Sequence, residues 1–199
     1  MNRGVIAAVD AAYDSCDTLV ACAAVAWHPG AHEVVERHIV VSAGAAPYIP
    51  GRFAEREGEL CIAALRALRV RPAVVLCDGH GRAHPLRQGL ACVVARVTGW
   101  PTIGCAKSLL CGRAAPVGPE RGAWAEVEVG GEVVGRVVRT RATVRPVYVS
   151  VGDYLDLETA MDVVLLASPR FRIPEPLRIA HVEATSALHS LLAQSSRRE

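Results

Sequence analysis

Three strand-length apolar segments follow one another with only short connections: residues 4–10 (GVIAAVD), 18–27 (TLVACAAVAW) and 33–42 (EVVERHIVVS), the last two joined by the turn HPGAH. Sequential strands connected this briefly predict an antiparallel meander. Beyond them the periodicity changes. Residues 53–69 carry apolar positions at helical spacing behind Pro50-Gly51, and 73–78 (AVVLCD) read as a short apolar strand ending in an acid. Residues 84–99 predict a second helix that opens on Pro85 and closes on Gly99. A buried strand is expected at 101–107 (PTIGCAK), a hairpin at 124–140 around Gly130-Gly131, and a strand at 146–152. Helices at 157–168 and 174–194 complete the chain.

A meander followed by alternating helices and strands predicts an α/β fold: a mixed sheet, its antiparallel meander extended by parallel strands, flanked by helices. This is the element order expected of a ribonuclease H-like domain. The 199 residues suit a single domain, 1–199, and neither linker nor repeat interrupts them. The longest apolar runs are far too short for a membrane span. Asp10 breaks the N-terminal apolar stretch before it could serve as a signal peptide, so a cytoplasmic location is expected. The seven cysteines are odd in number and form no Cys-x-x-Cys pair, so they read as small buried hydrophobes rather than zinc ligands or disulfides.

Charge in an apolar strand is costly unless paired or metal-bound. Asp10 ends the first apolar segment and Asp78 ends AVVLCD, and acids at the ends of neighbouring strands would converge on one pocket. Each could instead cap a turn, as Asp-Gly often does. Glu55, Glu57 and Glu59 all lie early in the first helix, and spacing alone does not choose among them. Such acids suit a hard cation such as Mg²⁺, which takes oxygen ligands, keeps several waters and can activate water against a phosphodiester. His80 and His84 flank the turn after Asp78, where phosphate contact or proton transfer is plausible. His181, on the last helix, could complete a metal shell.

The net charge of +2 makes no bulk case for nucleic-acid binding, although a local basic face is invisible in totals. Of 22 basic residues only Lys107 is a lysine. A coding bias toward arginine erases lysines wherever either cation serves. The survivor then marks a place that needs a compact, flexible ammonium, the alternative being chance.

Six segments, VDAAY (9–13), PYIPGRFAERE (47–57), DGHGRAHPLRQGLA (78–91), PTIGCAKSLLCG (101–112), VYVSVGD (147–153) and RIPEPLRIAH (172–181), resemble the endonuclease V family in order and spacing. The resemblance implies a ribonuclease H-like fold and a Mg²⁺-dependent endonuclease in which Mn²⁺ substitutes. It implies hydrolysis of the second phosphodiester 3′ of inosine in DNA or RNA, leaving 3′-hydroxyl and 5′-phosphate ends, in repair or inosine-RNA turnover. Carried over by motif, Asp10, Glu57 and Asp78 are the metal-binding acids, His181 lies near the metal and Lys107 is the catalytic lysine. Tyr48, Ile49 and Pro50 match the wedge that enters beside the lesion. Gly79, Gly81 and Gly112 match backbone lining the base pocket, with His80 and His84 beside them. Three elements depart from the family pattern: Ala91-Cys92-Val93 replaces its Ala-Ser-His, Asp153 its late histidine and Glu55 a phenylalanine.

The expected partner is inosine-containing nucleic acid, with no membrane, and the chain is expected to act as a monomer. Two alternatives stand beside this reading: a ribonuclease H-like nuclease of altered substrate, and a non-catalytic nucleic-acid-binding relative.

Overall fold

The computed structural model describes residues 4–16, 18–43 and 53–195. The predicted meander is present: β1 (Ile6–Tyr13), β2 (Leu19–His28) and β3 (Glu33–Ala43) pair antiparallel in sequence order. Helix α1 (Phe53–Arg66) leads to β4 (Val74–Cys77), and α2 (Leu90–Thr98) to β5 (Thr102–Ala106). The two crossovers lay β4 parallel to β1 and β5 parallel to β4. After β6 (Arg113–Ala114) come the hairpin strands β7 (Trp124–Val129) and β8 (Glu132–Val138), then β9 (Val147–Asp153), α3 (Leu157–Leu166) and α4 (Glu175–Ser195). Among the described residues the sheet runs β3-β2-β1-β4-β5-β9-β8-β7-β6.

Alternation along the strands builds two cores. Ala7, Val9, Val75 and Cys77 point to α1 and α2, where they meet Cys61, Leu65, Leu90 and Val94. Ile6, Ala8, Leu76 and Ile103 point to the opposite face and meet Ala160 and Val164 of α3 and Leu177 of α4. Each fully buried Leu or Ile contributes about 1.5–3 kcal/mol. The hairpin turns on Gly130 and Gly131, at φ 62° and 85°, the left-handed pair that a two-residue hairpin turn requires. All seven cysteines are free and five are buried, with the Cys22 and Cys61 sulfurs 3.6 Å apart. No helix among the described residues is long and apolar enough to cross a membrane.

Three boundaries differ from expectation by three residues or more. β1 does not end at Asp10 but continues to Tyr13, because Ala11, Ala12 and Tyr13 still pair with Cys22, Ala21 and Val20. α1 stops at Arg66, three residues short. α2 begins at Leu90 rather than residue 84. The chain before it turns twice, His84 N–H donating to the Arg82 carbonyl and Arg87 N–H to the His84 carbonyl, with Arg87 at φ 56°. The two-residue β6 was not expected; so short a strand leaves no periodicity to read.

Candidate active site

Because β1, β4 and β5 run parallel, their C-terminal ends share one edge of the sheet. β4 stops at Cys77 opposite Val9, so Asp10 and Asp78 are the next residues on adjacent strands. The Asp78 N–H still donates to the Val9 carbonyl at 3.2 Å. Even-numbered residues of β1 face α4, and there His181 Nδ1 lies 2.8 Å from Asp10 Oδ2. Lys107 follows β5, and its Nζ donates to Asp78 Oδ2 at 2.5 Å. Glu57 reaches the same edge from α1, on the other face of the sheet. With Ala11 and Tyr13, these five side chains line one cavity of about 340 Å³.

The charges there are in tension. Asp10 is 6% exposed, and burial, then the neighbouring charge of Asp78, push its carboxyl up to about 6 against the opposing pull of His181 and Lys107. Burial alone would lower Lys107, but the hydrogen bond and charge of Asp78 outweigh it and raise the ammonium overall. His80 is driven down to about 4 by burial and by His84, so its imidazole is neutral at physiological pH.

A hard divalent cation fits this donor set. Three carboxylates converge, and burial together with the charge of Asp78 holds one of them, Asp10, back from ionising, a penalty that a bound cation would relieve. Among the described residues no three His, Cys, Asp or Glu side chains gather tightly enough to hold a metal by themselves. Water and a substrate phosphate would have to complete the shell of any cation held here.

The turn after Asp78 is packed against the sheet. A Cβ on Gly81 would lie 2.2 Å from the Val151 carbonyl oxygen, and one on Gly112 2.3 Å from that of Glu128. The absence of a side chain at both positions is therefore already required by protein packing. Gly79 and His80 are half-buried, and His84 is buried with Nδ1 accepting the Leu86 N–H at 3.2 Å. None of these lines the carboxylate cavity. Tyr48, Ile49 and Pro50 lie outside the described residues. Of the departures, Cys92 is buried with its Sγ donating to the Arg87 carbonyl at 3.6 Å, and Asp153 pairs with Arg82 at 3.5 Å.

Gly104 supports the site from behind. A Cβ there would stand 2.4 Å from Gly81 N and 2.7 Å from Gly79 O, both backbone atoms with no room to yield. Gly104→Ala is expected to push out the turn that carries Asp78, lowering stability by about 2–3 kcal/mol. Thermal melting tests this, and an unshifted midpoint would refute it.

Two residues of the site carry no mark in the local sequence pattern. Tyr13 lines the cavity because β1 runs past Asp10. Arg172 fixes the backbone of Lys107, its Nη2 donating to the Lys107 and Pro146 carbonyls at 2.8 and 2.9 Å and its Nε to that of Arg145 at 2.8 Å. Nothing in sequence spacing marks such a clamp across 65 residues. For Glu57 a signal did exist: it lies on the i, i+4, i+8 line of Cys61 and Leu65, both buried, whereas Glu59 is exposed.

The sheet order, the helices on both faces and the acidic edge place the chain among ribonuclease H-like nucleases. It belongs to the Endonuclease V family, whose profile matches residues 1–182. Endonuclease V of Nocardia farcinica is 44% identical over 185 residues, covering 93% of this chain and 81% of that protein. The crystal structure of Endonuclease V from Streptomyces avermitilis superposes with a TM-score of 0.91 at 39% identity, covering 96% of this chain and 84% of that one. Ciona intestinalis Endonuclease V (D234N), solved in complex with a 23mer DNA containing an inosine followed by a ribo-adenosine, superposes with a TM-score of 0.79 at 25% identity, covering 94% and 86%.

Proposed function

We propose that this chain is a metal-dependent endonuclease that recognises inosine in DNA or RNA and hydrolyses the second phosphodiester on its 3′ side, leaving 3′-hydroxyl and 5′-phosphate ends. The observation that carries the reading is the meeting of Asp10, Glu57, Asp78, Lys107 and His181 around one cavity, in a member of this family. Asp10, Glu57 and Asp78, with His181 beside them, would hold Mg²⁺ or Mn²⁺, which supplies Lewis-acid activation of water and neutralises charge on the phosphodiester. Lys107 is poised to move its ammonium from Asp78 to the scissile phosphate as a compact charge. His181 orients the Asp10 carboxylate through Nδ1. Gly79, His80, Gly81, His84 and Gly112 form the base-reading side, where a neutral His80 contacts a base without adding charge. Tyr48, Ile49 and Pro50 serve as the wedge by family motif.

The test is cleavage of inosine-containing single-stranded RNA, duplex DNA and DNA–RNA hybrid, with adenosine controls, in Mg²⁺, Mn²⁺ or EDTA. A single cut that requires both inosine and metal is expected. Equal cutting of the controls would favour a ribonuclease H-like nuclease of altered substrate. Binding without cutting in either metal would favour a non-catalytic relative.

A further inference from the structure

The loop 139–145 and the segment 170–178 hold six arginines and one acid, a formal +5 in a chain whose net charge is +2, so the remainder sums to −3. The two stretches are stitched together. Thr140 Oγ1 donates to the Arg172 carbonyl at 2.6 Å, Arg141 Nη1 to that of Arg170 at 3.3 Å, and Arg172 Nε to that of Arg145 at 2.8 Å. Carbonyls use a guanidinium's donors but leave its charge intact. Among the described residues only Arg170 of the six is ion-paired, with Glu175. Arg141, Arg145, Arg170 and Arg178 are exposed, and Arg178 is steadied over the Phe171 ring, 4.3 Å from its centroid.

This rim borders the carboxylate edge. Arg172 grips the Lys107 carbonyl, and Arg178 precedes His181 by one helical turn on α4. It lies on the α4 side of the sheet. The turn 79–83 crosses toward α2: Gly81 N–H donates to Ser150 Oγ and Ala91 N–H to the His80 carbonyl. The acids stand between the two. We infer that the arginine rim binds the phosphate backbone of the substrate on the 3′ side of the cut, away from the recognised base. The directional part of this inference rests on the activity proposed above; the binding part does not.

The experiment compares R141Q/R145Q/R178Q with R69Q/R71Q/R96Q, a control that removes the same charge from exposed positions away from this rim. Binding of a fluorescein-labelled inosine oligonucleotide is read by anisotropy in EDTA across a salt series. The rim variant should flatten the slope of log Kd against log salt by roughly 2, at about 0.7–0.9 per lost phosphate contact, while the control keeps the wild-type slope. Equal slopes in all three proteins, or equal flattening in both variants, overturn the inference. With Mg²⁺, shortening the strand 3′ of the cut should raise KM for wild type but not for the rim variant; sensitivity to the 5′ strand instead overturns the assigned side. A flattened slope without inosine-dependent cleavage sinks the proposed activity and leaves the phosphate-binding rim standing.

Discussion

Asp10→Asn is expected to reduce cleavage by at least about 10³-fold, roughly 4 kcal/mol of transition-state stabilisation, while the metal-free protein melts higher than wild type. The two effects share a cause. Asp10 is buried beside Asp78, and its carboxyl titrates near 6 when folded against 3.8 as a free side chain. The folded state therefore holds that proton more tightly than the unfolded one, and stability falls as pH rises from about 4 through 6. Above that range the penalty is complete, on the order of 1–3 kcal/mol. Asparagine removes the charge and keeps the shape, so it should recover much of that loss at pH 8 in EDTA while forfeiting an anionic ligand. Asp78→Ala should abolish cleavage as well but change stability little, because relief of its repulsion on Asp10 is offset by loss of its hydrogen bond to the half-exposed Lys107. Wild-type cleavage rates in either variant would remove that acid from the metal site; an unchanged melting point for Asp10→Asn would locate no strain there.

Lys107→Arg should lower kcat by about 10–100-fold with KM within about 2-fold, since one well-placed electrostatic contact is worth up to 10²–10³ and arginine keeps the charge while moving it. Lys107 has little freedom to compensate. Its carbonyl is gripped by Arg172 and its ammonium meets Asp78 at 2.5 Å, a distance the planar guanidinium reaches only from farther back. Measuring kcat and KM separately decides the matter. An unchanged kcat would return the lone lysine to chance, and a KM rise alone would make it a binding contact.

Most of the sheet was legible in the sequence because strand burial imposes period 2 and short connections leave few topologies. The meander, both crossover strands and the Gly130-Gly131 hairpin follow from local pattern. Pro85 mimics a helix start, so local pattern extends the second helix back to residue 84, whereas it begins at Leu90. What ends the irregular stretch is Gly89, where a Cβ would sit 2.2 Å from the His80 carbonyl oxygen, a tertiary contact.

By itself the sequence determined that Asp10 and Asp78 need compensation, since each interrupts or ends an apolar strand and burial of a lone charge is costly. It also singled out Lys107. Tertiary structure alone decided which groups meet them. Parallel pairing brings the two aspartates onto one edge, α4 delivers His181 from 171 residues away, and α1 carries Glu57, which shares its helical line with Cys61 and Leu65, to the cavity. The same holds for the arginine rim, whose two stretches look unremarkable apart and concentrate charge only when the fold ties them together. Local pattern records what each segment must bury; which charges then share a pocket depends on long-range pairing that no short window of sequence contains.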